Sequence, residues 1–256
     1  MLTSRKELAT RNMNRIPESL ERPFLREAFV EFRYHSSVAV RLLPGLLAER
    51  LRALAYVLPQ RPRFTSFDLG GLTVNRDDTP ILQKDGYRLQ FQDGIIHFSA
   101  PAEYPGWTAY RALIQETMTA LLKPGDLSLE KVSLRYINDL QEVDIFALGG
   151  YLQSPTFSGH ELTGQGVRLQ LAREKTVTLL NLTSGVQLPH QTDTSTTVSV
   201  IDVDVQRAFK TPPTLSQVFD CLDKLHTFNK ELVFGKLLPE AYVARFNPVY
   251  AQSRSL

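Results

Sequence analysis

Apolar and polar residues alternate or recur along the chain in two periods, and the order of those periods predicts the architecture. Ala28, Val30, Phe32 and Tyr34 alternate with Glu31 and Arg33, the period-2 pattern of a half-buried strand. Leu47, Leu51, Leu54 and Leu58 then recur at helical spacing between Pro44, which suits a first turn, and Pro59, which stops the run. Three short strands are expected next, at 64–69, 87–92 and 95–99. Asp93-Gly94 joins the last two as a two-residue hairpin, because both turn positions need positive φ. A helix over 107–122 follows, with Tyr110, Leu113, Ile114, Thr117, Met118 and Leu121 as its apolar stripe, and Lys123-Pro124-Gly125 closes it.

The second half runs in the same order. A strand is expected over 129–140, with Val132, Leu134 and Tyr136 opposing Ser133, Arg135 and Ile137. A short helix is expected at 144–152, then strands at 166–173, 176–182 and 196–206, with a turn at Glu174-Lys175. The final helix begins at an N-capping Thr214 and carries Val218, Leu222, Leu225, Phe228 and Leu232 to a bend or end at Pro239. Both halves therefore read strand, helix, three strands, helix. The expected fold class is α+β. It is a mainly antiparallel sheet from two pseudo-repeated units (23–127 and 128–250) fused in one domain, with helices on one side in a saddle-like form, preceded by a polar arm over 1–22.

Composition removes several classes of function. Of 256 residues 43 % are hydrophobic and 22 % charged, enough for a sizeable core and incompatible with global disorder. The charge of +2 divides into +3 over 1–127 and −1 over 128–256, without the concentrated basic face that announces nucleic acid. Cys221 is the single cysteine, so neither an intrachain disulfide nor a thiolate metal cluster can form. No apolar run approaches about 18 residues, and residues 1–22 carry no signal-peptide core, so no membrane contact and a cytoplasmic location are expected.

Several fragments resemble a known family when taken in order. They are Pro23 through Arg33, Trp107 with Tyr110, Ser133-Leu134-Arg135-Tyr136-Ile137-Asn138, Ile201-Asp202-Val203-Asp204, and Leu225 through Phe234. Together they resemble a sporadically distributed family of uncharacterised prokaryotic proteins of about this length, over nearly the whole chain from Pro23 to about Phe246. Leu25-Arg26 and Thr227 depart from its pattern, which more often has an apolar pair and an acidic residue there. The resemblance implies the extent of the domain and no activity or cofactor. The family's patchy distribution implies mobile genes, hence a defence or toxin–antitoxin context.

Asp202 and Asp204 are the sharpest candidate pair. At i and i+2 on a strand they share a face, roughly 6–7 Å apart, and with His226 or Asn229 they could hold a divalent cation. They equally suit a face emerging into solvent beyond Val198 and Val200, or a cross-strand ion pair with Arg135 or Arg168. Arg135 points away from Tyr136 and Asn138 and is a candidate ligand for an anion. Tyr136 is expected in the core and Asn138 as a cap on the turn into Asp139. His226 and Asn229 share a helical surface, where His226 could act as a general base or as a structural histidine bonded to a carbonyl or to Asp202.

No phosphate-loop lysine motif, His-Glu-x-x-His or nucleophile elbow occurs, and no catalytic residue or cofactor is expected. The glycines over 149–166 lead into a strand rather than a helix, which suits a flexible connection better than a phosphate site. Arginines outnumber lysines about two to one, yet Asp68, Asp77, Asp78, Asp85 and Asp93 are interleaved with those of the first half. The expectation is a non-enzymatic binding protein that takes a protein partner, or a second copy of itself as a homodimer. The rival is a nucleic-acid or nucleotide binder, including a metal-dependent nuclease built on Asp202, Asp204 and His226.

Overall fold

A computed structural model describes residues 15–36, 48–54, 81–92, 94–122, 127–148, 164–186 and 198–251. Ten strands are placed: β1 Ser19–Leu20, β2 Leu25–His35, β3 Ile81–Lys84, β4 Tyr87–Gln92, β5 Ile95–Ser99, β6 Ser128–Gln141, β7 Gln165–Arg173, β8 Thr176–Val186, β9 Val198–Ala208 and β10 Pro248–Val249. The helices are α1 Ala48–Ala53, α2 Trp107–Leu121, α3 Leu215–Leu232 and α4 Glu240–Val243. The fold is α+β. Eight strands form one sheet in the order β3-β4-β5-β2-β6-β9-β8-β7, and every neighbouring pair runs antiparallel.

Alternation decides which face each side chain takes. Val30 and Phe32 of β2, Leu134 of β6, and Val203 and Val205 of β9 are fully buried against the helices, together with Tyr110, Ile114 and Met118 of α2 and Val218 and Leu222 of α3. Tyr110 donates its hydroxyl to Phe98 O at 2.8 Å, fixing α2 to the sheet. Trp107 Nε1 and Arg111 Nε both donate to Asp223, at 2.9 and 2.8 Å, and tie α2 to α3. Thr214 caps α3, as the sequence predicts, and Gln217 completes a full capping box with it.

The strand expected at 64–69 lies outside the described residues; among those described, the outermost strand of that half is β3, joined to β4 by Asp85 and Gly86 with φ of 49° and 81°. The helix expected at 144–152 is, in its described part, a single 3-10 turn over Ile145–Ala147, in which the Phe146 amide donates to the Asp144 carboxylate. Within the polar arm, residues 15–22 run extended: β1 pairs with β10, and Lys230 Nζ donates to Glu18 O at 2.9 Å. Of the helix expected from Pro44 to Leu58, α1 is the described part.

Candidate binding face

The face of the sheet away from the helices carries the polar residues of the central strands. Arg135 on β6 lies directly opposite Asp204 on β9, yet its guanidinium reaches diagonally to Asp202. Nε and Nη2 donate to the two oxygens of Asp202 at 2.7 and 2.8 Å, the bidentate geometry that suits a planar fork. Asn181 on β8, opposite Asp202, adds a third donor at 3.0 Å. The Asp202 hydrogen bond holds Arg135 further toward its charged form than usual, overcoming the opposing effect of burial.

That choice of partner leaves Asp204 poorly served. Its Oδ2 accepts from Gln206, while Oδ1 is shut from solvent with no hydrogen-bond partner among the described residues. Loss of water around the carboxylate, with Glu31 nearby, raises the Asp204 pKa above its ordinary value. Asp139 on β6 repeats the pattern on the same face. Its Oδ2 accepts from Arg26 at 3.2 Å, Oδ1 is shielded and unpaired, and burial again raises the pKa.

On the other side of Arg135, β2 and β5 bring Glu31 opposite His97. His97 Nδ1 lies 2.9 Å from Glu31 Oε1 and Nε2 lies 3.0 Å from Ser99 Oγ. The His97 hydrogen bond lowers the Glu31 pKa despite partial burial. Serine, histidine and carboxylate thus follow the connectivity of a hydrolytic triad, but Ser99 lies within the β4–β5–β2 ladder rather than on a sharp turn. A triad also needs hydrogen-bond donors aimed at a developing oxyanion. Among the described residues, the one opposite Ser99 on β4 is the exposed Arg88. The cluster is read as part of the polar face.

His226 and Asn229 lie on the far side of the sheet from Asp202 and Asp204. Asn229 is buried and donates to Val203 O at 3.2 Å from the helix side. His226 stacks on Trp107, with ring centroids 4.7 Å apart and planes 10° from parallel. Its Nδ1 lies 3.0 Å from the Tyr136 hydroxyl, which lies 3.1 Å from that of Tyr104. Burial, reinforced by Lys230, lowers the His226 pKa to about 4, so the ring is neutral. The four residues offered for a cation site are therefore not brought together. Among the described residues no group of three or more His, Cys, Asp or Glu is placed to hold a metal.

Asn138 is not a turn cap. It sits inside β6, 6 % exposed, and donates to Ile201 O on the neighbouring strand. Tyr136 is in the core with its hydroxyl bonded, and Arg135 is on the opposite face from both, as the alternation predicts. The Glu31–His97 contact escapes a reading by motif because it needs the β2–β5 register. Compared with known proteins, the chain matches no family model and no curated protein.

Proposed function

We propose that the protein is a non-enzymatic binding protein and that the face of Arg135, Asp204, Asp139 and Glu31 takes a protein partner offering lysine, arginine or amide donors. The observation that carries this reading is the pair of shielded, unpaired oxygens, Asp204 Oδ1 and Asp139 Oδ1, on one face. An unmet buried acceptor costs roughly 1–3 kcal/mol, and carboxylate torsions are broad. A small turn of either carboxylate therefore lets an arriving donor recover that cost. The central arginine of the face is already spent on Asp202, and Arg33 and Lys131 lie to one side of it, so the middle of the face suits such donors better than phosphates.

The order of the sheet supports the finer architecture as well. β3-β4-β5-β2 and β6-β9-β8-β7 are each a first strand followed by a three-stranded meander whose last strand returns beside it, and β2 meets β6 at the centre. Two pseudo-repeated units fused into a curved, saddle-like sheet is the reading this order favours. The patchy family that the sequence resembles supports a defence or toxin–antitoxin setting in the cytoplasm.

The test compares wild-type protein with Asp204→Asn as bait in extract from the native host, followed by calorimetry on the purified pair. Asp204→Asn removes a charge that the fold shelters at a cost, so its melting temperature should rise, while affinity for the partner should fall by about tenfold or more. Equal affinity for the two forms refutes the face. Salt-dependent binding of oligonucleotides, with no protein retained, replaces the reading with the nucleic-acid one.

A further inference from the structure

The sheet ends at β7, and among the described residues no strand pairs with its outer edge. β7 is nine residues long and its register against β8 is continuous from Gln165 to Arg173, without a bulge. It contains no proline and no lysine. Proteins blunt a free edge with proline, charges and bulges; here only Arg168 and Arg173 carry charge, and a long flat edge so lightly guarded is a template for a further strand. Val167, Leu169 and Leu171 pair with Leu182, Leu180 and Thr178, so they lie on the helix side of the sheet. There Leu180 and Leu182 are buried, whereas Leu169 and Leu171 each remain 37 % exposed. Among the described residues the helix layer thus stops short of the last strand, and the apolar strip of Leu169 and Leu171 runs beside the outer edge of β7.

We propose that this edge is the interface of a homodimer, in which β7 pairs antiparallel with β7 of a second copy about a two-fold axis through Leu169. The residue order of the strand selects a second copy as the occupant. With Leu169 opposite Leu169 of the partner subunit, Val167 meets Leu171, Gly166 meets Ala172, Arg168 meets Gln170 and Gln165 meets Arg173. Apolar faces apolar, small faces small, and Arg168 faces Gln170, while Gln165 at the strand end is held by Asp144; over its central residues the strand is complementary to its own reverse. An isologous interface demands this property, and an unrelated partner strand does not.

The neighbouring registers are worse. A slip by two residues one way sets Arg168 against Arg168, a like-charge pair directly opposed. A slip the other way sets Val167 against Arg173 and leaves residues at the strand ends unpaired. A slip by one turns the apolar strips to opposite faces. The centred register pairs all nine residues and joins two eight-stranded sheets into one.

Light scattering on the full chain should give the mass of two chains, and Leu169→Lys, which sets two lysines face to face at an exposed position, should give the mass of one with unchanged circular dichroism. Under a mild disulfide oxidant, Leu169→Cys should form a covalent dimer that reductant reverses. Leu171→Cys alone should not, because the two sites stand about 13 Å apart in this register, but it should cross-link when mixed with Val167→Cys. Cys221 is buried and does not compete. A single-chain mass for the wild type at every concentration overturns the proposal. So does a dimer that survives Leu169→Lys, or cross-linking of Leu171→Cys as readily as Leu169→Cys.

Discussion

A neutral imidazole in the Trp107–Tyr136–His226 cluster has consequences at the scale of a single residue. The Tyr136 hydroxyl and His226 Nδ1 share one hydrogen bond, in which the hydroxyl can donate or accept. In the unfolded chain the same ring takes a proton near its ordinary 6.5, whereas in the fold burial and then Lys230 hold the value at about 4, with Asp223 opposing them. The unfolded state therefore binds more protons between these two values. The contribution to stability is complete above pH 6.5 and is lost as pH falls toward 4, by up to about tenfold in the unfolding equilibrium per pH unit. Urea midpoints measured across that window for wild type and His226→Gln should converge toward low pH, since the amide keeps a hydrogen-bonding group for Tyr136 and does not titrate. Parallel curves would show that the ring contributes no such linkage. The aspartates on the other face act with the opposite sign: raised pKa values at Asp204 and Asp139 make their burial a cost at neutral pH that protonation relieves. This cluster was only partly legible in the sequence. Alternation puts Tyr136 in the core, but stacking on Trp107 depends on how α2 and α3 lie across the sheet. The choice of Asp202 over Asp204 by Arg135 depends on a register that no single strand reveals.

At the scale of elements, legibility tracks length and punctuation. β4 and β5 occupy the residues that their alternation predicts, and α3 begins at Thr214 because a threonine three residues before a glutamine is a local capping signal. β3 escapes because only Leu82 of its four residues is buried, too short a run to show a period. Its turn was nevertheless marked: Asp85-Gly86 repeats the hairpin signal of Asp93-Gly94. Asn138 misleads for the converse reason, since a residue favoured at turns is held inside a strand by the carbonyl of Ile201. The Asp85-Gly86 turn has a measurable weight. Gly86 has a φ of +81°, and a Cβ added there would meet Pro101 Cβ at 3.0 Å. Gly86→Ala should cost about 1–2 kcal/mol for the left-handed backbone alone, lowering the melting temperature by roughly 2–4 °C per kcal/mol for a chain of this size. Gly235→Ala, where an added Cβ meets nothing within 4 Å, serves as the control and should leave the melt near wild type. Equal melts for the two variants would mean that the β3–β4 hairpin frays without consequence for the rest.

Across the whole molecule, the seam between β2 and β6 decides whether the two halves behave as one body. Val30 and Leu134 face each other across it, both at 0 % exposure, with Phe32 beside Val132 in the next rung on that face. The helices reinforce the seam. Asp223 of α3 accepts from both Trp107 and Arg111 of α2, and Phe24 at the start of β2 packs edge-on against Phe246 near the C-terminus, 5.0 Å between centroids. The β1–β10 ribbon adds a further link between the ends of the described chain. Separating the halves would expose a long strand edge on each side together with the largest part of the shared apolar layer, so neither half gains by unfolding alone. Heating should therefore give one transition in which the calorimetric and van't Hoff enthalpies agree. Leu134→Ala, which empties a fully buried site at that seam, should cost about 2–5 kcal/mol and move the single transition down without splitting it. A wild-type melt in two steps, or a variant in which one step moves and another stays, would show the halves to be independent. The sheet would then be a contact between two domains rather than a common core.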